Sequence, residues 1–308
     1  MVRPLAISVP GSLMLLGEHA VLHEHPCLVA AIDERIRLSI IPRNDGLVTI
    51  TSSLGDYEGD RDDLPDHPSF RFVIGALNQQ SRALPGGCDA TILADMPATI
   101  GFGTSAAVTV AMIGALHLAV SGSWSLPDVL RDARTVIQRV QGRGSGADAA
   151  ASVFGGVVYY GMNDDQTEVI QSEPKSLSAL YCGYKTPTAE VIAHVDAVWK
   201  GKEDERDQLF DRMGDLTKRG RTALLNQDDK LFGKILNEGQ LLMQQLGVST
   251  KELEQCAVRL YQDKNIAGAK ISGSGMGDCV VGWGRAETEV SPFEMYHLTT
   301  AAEGIRLE

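Results

Sequence analysis

Several glycine-containing segments carry residue types suited to binding and moving a phosphate. In Pro97-Ala-Thr-Ile-Gly101-Phe-Gly103-Thr104-Ser105-Ala106-Ala107 a glycine-rich loop runs straight into an apolar stretch. Glycines let backbone N–H groups approach an anion, and a helix start offers unsatisfied N–H groups with partial positive charge. Thr104 and Ser105 add hydroxyls suited to phosphate oxygens or Mg²⁺. The same residues also fit an ordinary glycine turn with Ser as helix cap. The Gly-Lys-[Ser/Thr] ending of a P-loop and the dinucleotide-binding glycine fingerprint are both missing.

In Lys270-Ile-Ser-Gly273-Ser-Gly275-Met-Gly277-Asp278-Cys279 alternate glycines fit either a second phosphate face or a structural hairpin. In Gln141-Gly-Arg-Gly-Ser-Gly-Ala-Asp148-Ala-Ala-Ala151 a single Asp stands between a glycine loop and an Ala-rich stretch, as a general base or as a helix cap. Pro10-Gly11-Ser12 leads through an apolar run to Gly17-Glu18-His19-Ala20, where Glu18 and His19 are either buried polar groups or site residues. Lys185-Thr186-Pro187-Thr188-Ala-Glu190 places hydroxyls at an expected helix start.

These segments sit in a chain of 308 residues, 44% hydrophobic and 22% charged, a globular composition with length for one large domain or two ordinary ones. The net charge is −12 and no Lys/Arg-rich run occurs, which argues against nucleic acid as a partner but leaves a small anion open. The five widely spaced cysteines form no CxxC pair, so reduced thiols in a cytoplasmic protein are expected. Residues 5–9 are too short for a signal-peptide core, and the apolar residues 106–120 fall short of a membrane span, so no membrane partner is expected.

Periodicity predicts strands at 5–9 (ended by Pro10-Gly11), within 28–41, and at 47–52, 88–93, 153–160, 177–184, 269–272 and 279–283. It predicts helices at 69–84, 106–120, 125–141, 190–199, 208–247 with interruptions at Gly214 and Gly220, and 249–263. Capping boxes are read at Ser125/Asp128 and Ser249/Glu252, and residues 57–68 read as a solvated loop. Together these make an α+β protein of two domains, 1–165 and 166–308.

Taken in order, Pro-Gly-…-Gly-Glu-His-Ala, Pro-x₃-Gly-x-Gly-[Ser/Thr]-Ser-Ala-Ala and Lys-x-[Ser/Thr]-Gly-x-Gly-x-Gly resemble the three motifs of the GHMP kinases, over residues 4–284. Within that superfamily Gly17-Glu18-His19-Ala20-Val21 and the 237–249 segment, ending Leu-Gly-Val-Ser, look most like mevalonate kinases. Gly-Ser-Gly-Ala-Asp148 looks at least as much like phosphomevalonate kinases. The resemblance implies a ribosomal-protein-S5-like N-terminal ATP-binding domain and a ferredoxin-like C-terminal domain. It implies ATP on Pro97, Gly101, Gly103, Thr104, Ser105, Ala106, Gly273 and Gly275, with Mg²⁺ on Ser105. Asp148 would be catalytic, and Glu18, His19 and Thr188 would contact a small acidic alcohol such as mevalonate. A homodimer is left open, as is a non-catalytic sensor of the same fold.

Three positions depart from the family pattern. Ser12 replaces a Lys held to neutralise charge beside the transferred phosphoryl. Ile137-Gln138-Arg139 lacks the magnesium-binding Glu, and Asp278 replaces the second Gly of Gly-Gly-Cys. Restoring Lys at position 12 is expected to be neutral or activating, unless Arg139, Arg143 or Lys185 has taken the vacant role.

Overall fold

The computed structural model describes residues 5–80, 84, 86–96, 100–142, 144–162, 167–287 and 292–308. The expected α+β architecture is present as two antiparallel-rich sheets with helices packed on each. In the first half of the chain, β1 (Leu5–Leu16) and β2 (Cys27–Pro42) form a long antiparallel pair. The hairpin β3 (Leu47–Ser52) and β4 (Gly55–Asp60) joins β2 through β5 (Cys88–Ala94), which runs parallel to β3. β6 (Val157–Tyr160) pairs with the start of β2, and β7 (Glu168–Gln171) pairs with β6.

Four helices cover this sheet: α1 (Arg71–Gln79), α2 (Thr104–Ser121), α3 (Leu126–Gln141) and α4 (Ala147–Phe154). The central α2 packs on β1 and β2 and against the other three helices. It is long and apolar enough by composition to cross a membrane, exceeding the stretch read from the sequence. Burial on several sides explains its nearly uniform apolarity.

The second sheet has the order β11-β8-β10-β9, from β8 (Ser176–Tyr181), β9 (Ala269–Ser272), β10 (Cys279–Trp283) and β11 (Glu294–Thr299). The helices of this half are α5 (Thr188–Val198), α6 (Glu203–Leu225), α7 (Asp229–Leu246) and α8 (Lys251–Gln262); α7 and α8 pack on β9, and α6 packs on α7 and on β1, β2 and β7 of the first sheet. Two strands beyond residue 165 belong to the first sheet: β7, and β12 (Arg306–Leu307), which pairs with β1. Buried Arg35 fastens this returning tail, its guanidinium donating to the Ser8 hydroxyl at 2.6 Å and to the Gly304 carbonyl at 2.7 Å. One apolar cluster runs from Ile7 to Ile305 through both halves.

Several local expectations are corrected. Pro10-Gly11 does not end β1; the strand absorbs it as a bulge in its pairing with β2, while Ser12 N–H donates to Phe102 O at 3.0 Å. Gly214 and Gly220 do not interrupt α6. A Cβ at Gly214 would strike the His25 ring and one at Gly220 the Leu16 and Leu28 side chains, so both glycines mark where the helix lies close against the first half of the chain. The break falls instead between Leu225 and Asp229, where Gln227 takes a φ of 56°. Residues 57–60, expected in a loop, belong to β4, because Tyr57 is buried and its hydroxyl donates to Pro65 O. Thr250, not Ser249, caps α8, accepting from Leu253 N–H at 3.4 Å; Ser125 stands at the N-cap of α3 without a side-chain cap bond. Residues 153–154 close α4 before β6 begins.

Candidate active site

The glycine loop leads directly into α2. Gly103 occupies the N-cap position of α2 in a left-handed conformation with φ of 69°, and no side chain caps the helix. Ala107 N–H takes the Gly103 carbonyl at 2.9 Å, so the N–H groups of Thr104, Ser105 and Ala106 have no acceptor within the helix. Thr104 and Ser105 are partly exposed there and Ala106 is buried, so Ser is not the cap. Pro97 and Arg143 lie outside the described residues.

The same glycine brings two loops together. A Cβ on Gly103 would strike Ser12 Oγ, and that hydroxyl, fully buried, donates to Asp148 Oδ1 at 2.7 Å. Asp148 stands in the first turn of α4, whose cap, Gly146, is also left-handed. Desolvation pushes its carboxyl above the ordinary carboxylate range, against the Ser12 bond and the Lys185 charge, which favour the ionised form; the Asp278 charge adds to the rise. Asp148 Oδ1 thus accepts from a side chain 136 residues away in the sequence. Replacing Gly103 by Ala is expected to push Ser12 off Asp148 and to lower kcat with circular dichroism unchanged, because the left-handed backbone and the contact both oppose a Cβ. Steady-state kinetics beside a far-UV spectrum checks this.

The turn between β9 and β10 approaches from the other half of the chain. It carries Gly273 and Gly275, and the carbonyl of the intervening Ser274 accepts from His19 Nε2 at 2.8 Å. Since a carbonyl only accepts, that nitrogen carries the proton. Burial lowers the His19 pKa, so the neutral ring leaves Nδ1 as an acceptor. Asp278, at the end of this turn with φ of 74°, accepts from Gly101 N–H at 2.8 Å and pairs with Lys185 Nζ at 3.1 Å. The Gly101 amide is thus already engaged by a carboxylate.

Below His19, Glu18 and Lys270 form an ion pair that is buried on both sides. Lys270 also donates to Ile271 O, while Glu18 Oε2 is buried without a partner. Burial pulls the Lys270 pKa down, and the Glu18 charge and hydrogen bond oppose this. Thr188 opens α5 on exposed surface, two residues beyond Thr186, whose hydroxyl donates to Met276 O.

The uncapped α2 terminus fits a nucleotide's phosphates by amide geometry and dipole alone. For a divalent ion the protein offers less. Among the described residues no group of three His, Cys, Asp or Glu is placed to hold a metal, and at 137–139 Ile137 is buried while Gln138 and Arg139 are exposed. Such an ion would draw most of its ligands from phosphate oxygens and water, as Mg²⁺ does at nucleotide sites, with the Ser105 hydroxyl beside them.

Sequence reasoning singled out Asp148, the α2 loop, Glu18 and His19. It missed that Asp278 bridges two loops and that Lys270 is the partner of Glu18, since these pairs are 177 and 252 residues apart.

Both halves of the chain match known families. The families described as GHMP kinases N terminal domain and GHMP kinases C terminal match residues 71–156 and 221–292. The chain belongs to the GHMP kinases. It is 31% identical to a mevalonate kinase of Methanothermobacter thermautotrophicus, over 89% of this chain and 88% of that one. It is 30% identical to a mevalonate kinase of Archaeoglobus fulgidus, over 98% and 99%. Its fold matches the L. major mevalonate kinase solved with R-mevalonate, at a TM-score of 0.77 and 23% identity over 98% of this chain and 99% of that one.

Proposed function

We propose that the protein is a cytoplasmic, ATP- and Mg²⁺-dependent mevalonate kinase, forming 5-phosphomevalonate and ADP. The observation that carries this reading is the Ser12–Asp148 pair beside the uncapped start of α2, in a chain whose relatives at 30–31% identity are mevalonate kinases.

In this reading Gly101 to Ala106, Gly273 and Gly275 cradle the nucleotide, with the free amides of the first α2 turn on its phosphates. Glu18, His19 and Thr188 hold the acceptor, His19 Nδ1 accepting from one of its hydroxyls. The acceptor oxygen bonds to the γ-phosphorus as the bond to the ADP oxygen breaks. The hydroxyl proton passes to Asp148, late, because an alcohol is a far weaker acid than a carboxyl group. A divalent ion, when bound, neutralises phosphate charge. Ser12 orients the Asp148 carboxylate through Oδ1 and leaves Oδ2 for the acceptor. Phosphoryl transfer needs chiefly this positioning and charge neutralisation.

A second reading, phosphomevalonate as acceptor, is favoured by the Gly-Ser-Gly-Ala-Asp148 loop. ADP release measured with mevalonate, phosphomevalonate, homoserine and galactose decides between them. The proposal expects the highest kcat/KM with mevalonate, and a preference for phosphomevalonate replaces it with the second reading.

A further inference from the structure

The residue at position 12 is a buried serine, so the cation expected there must come from elsewhere or be dispensed with. Arg139 is exposed on α3. Lys270, a further buried cation, is committed to Glu18 and the Ile271 carbonyl. Lys185 differs from both. Its side chain is 43% exposed, its ammonium is fixed by Asp278 at 3.1 Å, and its charge acts on Asp148.

The anchoring is built from both halves of the chain. Asp278 is held by backbone bonds on both sides: Asp278 N–H donates to Tyr184 O at 2.7 Å and Cys182 N–H donates to Asp278 O at 2.9 Å. Its carboxylate spans from Gly101 N–H, in the loop before α2, to Lys185. A non-glycine residue at φ of 74° in a glycine-rich turn is disfavoured, and these contacts explain why it persists. An ammonium has three donors, so the ion pair leaves Lys185 others to offer.

We propose that Lys185, positioned by Asp278, is the catalytic cation of this enzyme and contacts the γ-phosphoryl group in place of the lysine absent at position 12. The proposal rests on the kinase reading of the site but not on the identity of the acceptor. Asp278 is a positioning residue: it ties the cation to the phosphate loop, so that filling the loop brings the ammonium to the end of the triphosphate.

Calorimetry with AMPPNP and ADP reads the contact without turnover. In Lys185→Met, AMPPNP is expected to bind about 10- to 100-fold more weakly and ADP unchanged, the range of a lost charge-assisted hydrogen bond. Asp278→Asn, which keeps an acceptor for Gly101 N–H but loses the ion pair, is expected to shift AMPPNP in the same direction by less. Because the native cysteines Cys27, Cys88, Cys182, Cys256 and Cys279 are all buried, Lys185→Cys offers one accessible thiol. Its alkylation with 2-bromoethylamine regenerates an ammonium at nearly the original length, and AMPPNP affinity should return. Unchanged affinities in Lys185→Met, or equal weakening of AMPPNP and ADP, would overturn the proposal. A wild-type enzyme that distinguishes the two nucleotides through Lys185 yet does not phosphorylate mevalonate removes the acceptor reading and leaves this one standing.

Discussion

Asp148→Asn is expected to lower kcat by about 10² to 10⁴, the usual contribution of a positioned general base, with ATP affinity nearly unchanged. The amide preserves size and an acceptor for the Ser12 hydroxyl, so the fold around α4 is kept while the proton acceptor is lost. The wild-type pH profile carries a second signature. In the proposed mechanism Asp148 acts ionised, and desolvation raises its pKa, so the acid limb of kcat is expected above the pH at which an ordinary exposed Asp titrates. Asp148→Asn should abolish that limb. Stopped-assay kinetics across acid and neutral pH measure both effects. Full kcat in Asp148→Asn would return the residue to helix capping.

Lys270→Met should destabilise the protein by about 3–5 kcal/mol, because it strands the Glu18 carboxylate in a buried site where one oxygen already lacks a partner. The pair joins the segment after β1 to β9, so the loss strikes the junction of the two halves. Pairing the change with Glu18→Gln removes the buried charge and should recover part of the stability. Denaturant unfolding of the two single variants and the double variant tests the coupling. Equal and additive losses would show that the two side chains contribute independently.

Local signals were legible in the sequence and distant pairings were not. The α2 terminus was legible because glycines, hydroxyls and an apolar run lie within a dozen residues. Glu18 and His19 stood out because polar residues interrupting an apolar run must be satisfied or functional, and both are buried. Asp148 was visible as an isolated carboxylate, but its bond to Ser12 was not. The glycines of α6 misled because a helix glycine that permits close packing and one that ends a helix look alike in a single sequence. Pro10-Gly11 misled in the same way, since a bulge and a strand end use the same residues. Asp278 was noticed only as a departure from the family pattern; its link to Gly101 and Lys185 arises where loops far apart in the sequence meet.

Phosphoryl transfer at the junction of α2, α4 and the turn between β9 and β10 is tested most directly by mass spectrometry of mevalonate incubated with ATP and Mg²⁺, with Asp148→Asn in parallel. A phosphate ester of mevalonate formed in step with ADP by the wild type, and slowed by about 10² to 10⁴ in the variant, is the predicted result. Phosphorylation of only a sugar or homoserine, or equal rates in the two proteins, would contradict it.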